Sequence, residues 1–94
     1  MILVDLLSNI KEQPDDCFVG VRRPWTPSSE AVLVPIPPDM RFPAEARAQG
    51  FEYFLEVSII NEILADFTNS EPSAGQRAAF VIYYAENDAF PESV

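Results

Sequence analysis

Ala78-Ala79-Phe80-Val81-Ile82-Tyr83-Tyr84-Ala85 is the longest uninterrupted apolar run in the chain, and its reading decides the fold. A short apolar run bearing aromatic and β-branched side chains matches a central strand buried on both faces of a sheet. A helix over residues 76–84 is the alternative, because an apolar run of this length is ambiguous by periodicity alone. Taken as a strand, it is the fourth. Residues 69–76 before it are polar and include Pro72 and Gly75, which marks a loop. Residues 89–94 after it form a tail expected as a partial turn or a frayed end.

Working back from that run, Ile59, Ile60, Ile63, Leu64 and Phe67 form one apolar stripe at helical spacing, with Ser58 as the expected N-cap. Residues 51–57 resemble a short strand. Residues 43–50 begin with proline and end with glycine, the asymmetry of one or two helical turns. At the start of the chain, Leu3, Leu6, Leu7 and Ile10 follow the i, i+3, i+4, i+7 pattern and place a helix over residues 2–12. Pro14, Asp15 and Asp16 end it as a turn. Residues 17–22 then alternate, with Cys17, Val19 and Val21 on one face, and residues 30–36 supply a second strand whose Pro35 indicates an edge or an end. The two are expected to pair as a hairpin with a long connection. The order α-β-β-α-β-α-β predicts an α+β fold: a small four-stranded, mostly antiparallel sheet with helices packed mainly on one face. A single domain over residues 1–94 is expected, with a proline-rich irregular segment at 24–43.

Composition narrows the class of function. The chain has 94 residues, 48% of them hydrophobic, which is enough for one modest core that folds without a cofactor. Cys17 is the only cysteine, so no intramolecular disulfide forms, and a reducing, cytoplasmic setting is expected. The apolar start lacks a basic n-region and is interrupted by Asp5, so no signal peptide is read; no run approaches a membrane span. The formal net charge is −9, and residues 1–47 contribute −2 of it against −7 from residues 48–94. Such a field opposes nucleic acid and anionic membrane surfaces and favours a basic protein partner, or else serves solubility alone.

No histidine occurs anywhere, which removes the commonest general base, the Ser-His-Asp and Cys-His constellations and most transition-metal sites. Gly20, Gly50 and Gly75 stand apart, so there is no glycine-rich phosphate loop. Cys17 reads as a buried structural thiol. Asp15-Asp16 and Glu86-Asn87-Asp88 are the densest carboxylate groups, and neither has calcium-loop spacing. No enzyme, metal or cofactor is therefore expected.

Two groups suit binding. Arg22-Arg23-Pro24-Trp25 sets two planar cations beside an indole, residue types enriched at interface hot spots, with Arg23 and Trp25 as the candidate contacts. The alternative has Trp25 folded over the core and the arginines neutralising nearby acids. The second group is acidic: Glu52, Glu56, Glu62 and Asp66, of which Glu62 and Asp66 stand at i and i+4 and repel mildly. Together they would present a negative rim to a basic protein.

Gly50-Phe51-Glu52-Tyr53-Phe54-Leu55-Glu56-Val57-Ser58, running into Ile59-Ile60-Asn61-Glu62-Ile63-Leu64, and later Tyr83-Tyr84-Ala85-Glu86-Asn87-Asp88-Ala89-Phe90, resemble small acidic bacterial immunity proteins of polymorphic-toxin systems. The likeness covers about half the chain. It implies an antitoxin-like inhibitor that covers the active site, or an adjacent surface, of a basic toxin. Two other functions stand beside it: an adaptor or oligomeric subunit that associates, with itself or another chain, through the Arg22 to Trp25 edge, and a carboxylate-based metal-binding or hydrolytic protein.

Overall fold

The computed structural model describes residues 1–65 and 73–87. Their order is helix α1 (Leu3–Ser8), a 3-10 turn (Ile10–Glu12), strands β1 (Cys17–Arg22) and β2 (Ala31–Pro35), helix α2 (Ala44–Ala48), strand β3 (Phe51–Glu56) and helices α3 (Val57–Ala65) and α4 (Ala74–Asn87). The fold is α+β, with a three-stranded antiparallel sheet in the order β2-β1-β3. Among the described residues no helix is long and apolar enough to cross a membrane.

The expected fourth strand is corrected: residues 78–85 lie inside α4. Ala78, Val81 and Ile82 are buried while Ala79 and Tyr83 are exposed, which is burial with a helical period and not an alternating one. A reciprocal cap opens the helix. The Gln76 amide N–H donates to Ser73 Oγ at 3.1 Å, and the Ser73 N–H donates to Gln76 Oε1 at 2.9 Å. The small side chain of Ala78, fully buried, lets α4 lie against the main core.

The first helix is shorter than the apolar stripe suggested. Ser8 Oγ–H donates to the Val4 carbonyl and Asn9 Nδ2 to the Asp5 carbonyl, so side chains occupy the acceptors of the last turn. The chain tightens into the 3-10 turn, yet Leu3, Leu6, Leu7 and Ile10 all remain buried. Helix α3 begins at Val57, directly after β3, so Ser58 sits in its first turn and not at the expected N-cap position.

Strand β1 is central and buried on both faces. Cys17, Val19 and Val21 face the main core with α1, α3 and α4; Phe18 and Gly20 face a second cluster built on Phe42 and Phe51. The proline-rich chain and α2 cover that second face, where Val32, Val34, Ile36 and Ala46 pack at the margin. The β1–β3 register slips between Val19 and Gly20, so that Leu55 opposes Val19 while Tyr53 opposes Gly20. Phe54 is the extra residue, and the bulge lets both Phe54 and Leu55 turn into the main core.

Candidate functional site

Arg23 leaves the end of β1 and lays its guanidinium over the Trp25 ring, 3.6 Å from the centroid. Its Nη1 donates to Glu86 Oε1 at 2.8 Å, and its Nε stands 3.5 Å from Glu52 Oε2. One cation thus ties the first strand to β3 and to the last turn of α4. Trp25 is half-buried: its Nε1–H donates to the Val21 carbonyl at 3.2 Å, and its ring meets Phe54 edge-on at 5.0 Å. Between the two readings of the Arg22 to Trp25 stretch, the indole lies over the core and both arginines are drawn to acids.

Arg22 completes that pattern. Its Nε lies 3.1 Å from Glu30 Oε1, out of line for a hydrogen bond, and its guanidinium covers the Phe51 ring at 4.4 Å. Gly50, with φ of +92°, leaves room beside it; a Cβ there would stand 2.7 Å from Arg22 Nη1. A cleft of about 410 Å³ lies elsewhere, between Leu7–Glu12, Leu64 and Arg77, whereas the one beside Arg23 holds about 560 Å³ and is lined by Trp25, Arg47, Phe51, Glu52 and Tyr53.

The candidate residues therefore separate. Arg23, Trp25 and Glu52 come together, joined by Glu86, which belonged to the carboxylate run set aside as a metal site. Glu56 and Glu62 do not join them, and Asp66 lies outside the described residues. Glu56 ends β3 opposite Phe18, two residues after Asp16, while Asn61 on α3 reaches Asp15 at 3.5 Å. Asp15, Asp16 and Glu56 thus collect at the end of the sheet away from Arg23, with Glu62 on the solvent side of α3. Among the described residues the ion pairs are those of Arg22 and Arg23, so none of these four acids has a cation partner.

Cys17 lies beside that acidic end. Burial, and then the Asp16 carboxylate, push its thiol pKa above the ordinary 9.0, so the neutral thiol persists at neutral pH. Among the described residues no three histidine, cysteine or carboxylate side chains gather as metal ligands. Glu86 was not predictable as Arg23's partner, because 63 residues separate them and only the helical reading of α4 carries it there. Arg47 was legible only as a charge near a helix end.

Comparison with curated proteins and with solved structures found no match to either. The family described as Domain of unknown function (DUF7716) matches residues 1–92. On that match, which spans nearly all of its length, the chain belongs to the DUF7716 family.

Proposed function

We propose that this chain is a non-catalytic protein-binding domain that offers its acidic end to a basic protein, acting as an immunity-type inhibitor of a toxin. The observation that carries this reading is the division of the acids. Arg23 holds Glu52 and Glu86, and Arg22 holds Glu30, whereas among the described residues the other acids have no cation partner, and of these Asp15, Asp16 and Glu56 stand together at the far end of the sheet with Glu62 on the neighbouring helix. Carboxylates already paired have little left to offer a partner, while unpaired ones steer a basic surface and gain new hydrogen bonds on contact. The resemblance of residues 50–64 to immunity proteins supports the same direction, since that stretch contains Glu56 and Glu62.

The Arg23–Trp25 group acts in this reading as an internal brace. A buried Trp25 in a monomeric protein weakens the adaptor function, and the indole is half-buried and hydrogen-bonded to Val21. The test begins with affinity capture from the native host, followed by association kinetics with the captured protein over a salt series. The expected rate falls steeply with salt for the natural chain and less steeply for Glu56→Gln/Glu62→Gln. A partner whose association is indifferent to salt, or equally sensitive in that variant, would count against the acidic end.

A further inference from the structure

Strand β2 is an edge strand, and the phase of its ladder shows which main-chain groups face outward. The Arg22 N–H donates to the Glu30 carbonyl and the Ile36 N–H to the Asp16 carbonyl, each at 3.0 Å. With the β1–β2 register, this turns the groups of Glu30, Val32, Val34 and Ile36 toward β1 and those of Ala31, Leu33 and Pro35 toward the free edge. At one end of that edge the Ala31 N–H donates to the Met1 carbonyl at 2.6 Å and the Leu3 N–H to the Ser29 carbonyl at 2.8 Å. Residues 1–3 therefore run antiparallel along it, Ile2 opposite Glu30. At the other end Pro35 has no N–H to give. Leu33 alone is left with both groups open among the described residues of β2.

We propose that residues 1–3 and Pro35 close a docking edge that would otherwise pair with β2 of a second copy of this chain. Ala31 to Val34 carries no charge and is only partly buried from Val32 onward, which is the composition that invites strand addition. Two copies paired antiparallel about a twofold axis at Leu33 exchange two bonds between their Leu33 residues. The next outward pair sets Ala31 of one copy against Pro35 of the other. There the Ala31 N–H is already engaged and the proline supplies none, so the ladder stops at its first rung.

The test has a measurement on the natural chain and one on a variant. Amide exchange on the natural chain should show the Leu33 N–H exchanging at least about tenfold faster than that of Ala31. A Leu33 amide as protected as Ala31 means that a strand already sits there, which overturns the proposal. The variant combines Pro35→Val with removal of Ile2, so that Met1 directly precedes Leu3. It should sediment as a dimer and gain protection at Leu33, and Leu33→Pro in that background should return it to monomer. A folded variant, by circular dichroism, that stays monomeric with an open Leu33 amide also overturns the proposal.

Discussion

Gly20 faces the Phe42 ring in the second core cluster, and a Cβ built on it would stand 2.9 Å from Phe42 Cζ and 3.3 Å from Phe51 Cβ. Both rings are buried, so neither has free space to retreat into. Gly20→Ala should lower stability by about 1–3 kcal/mol in urea unfolding, and Phe42→Leu in the same background should recover part of that loss. Cys17 gives a second prediction at this scale. Its folded pKa is raised, so the folded state holds the thiol proton after the unfolded chain has released it. Its contribution is complete below 9.0 and is lost as pH rises through the folded value. Stability should fall more steeply with alkaline pH in the natural chain than in Cys17→Ala. Equal slopes would mean that the thiol environment does not differ between folded and unfolded chains.

Helix α4 is the element on which the sequence reading and the structure part. Val81, Ile82 and Tyr83 favour a strand by propensity, and nothing in 78–85 breaks the apolar run. The deciding local signal sat just upstream, in the spacing of Ser73 and Gln76, where each side chain answers the other's main-chain N–H. Ser73→Ala should therefore cost about 1 kcal/mol and lower the helical circular dichroism signal, whereas Ser73→Asp, which keeps the acceptor, should retain most of both. Loss from Ala and Asp alike would indicate that tertiary packing alone sets the start of α4. The other elements were legible because their punctuation is strong: Pro43 before α2, Gly50 after it, and Pro14 between the 3-10 turn and β1. The split at Ser8 and Asn9 was not, since it depends on side chains turning back to Val4 and Asp5.

For the molecule as a whole, fifteen acids and six bases leave a net charge of −9. The ion pairs of Arg22 and Arg23 have side chains roughly half in water, so each contributes at most about 1 kcal/mol and is weakened by salt. With a net charge of −9, mutual repulsion among the remaining acids is expected to outweigh them. Raising ionic strength from about 10 to about 150 mM should raise the midpoint of thermal unfolding. A midpoint that falls instead would mean that the Arg22 and Arg23 pairs dominate the electrostatics of the fold.

By itself the sequence determined the spans of β1, β2 and β3 to within a residue or two, the buried stripe of α1, the buried thiol and the uneven acidity, because each follows from neighbours a few positions apart. Arg23, Trp25 and Glu52 were also legible as chemically notable residues. Tertiary structure alone decided what they do. Glu86 reaches Arg23 only when α4 is helical and packed against α1 and α3, and that pairing takes Glu52 and Glu86 out of the acids without a cation while Asp15, Asp16 and Glu56 remain among the described residues. Periodicity and capping act over one or two turns, whereas an ion pair across 63 residues depends on the register and docking of every element between its partners.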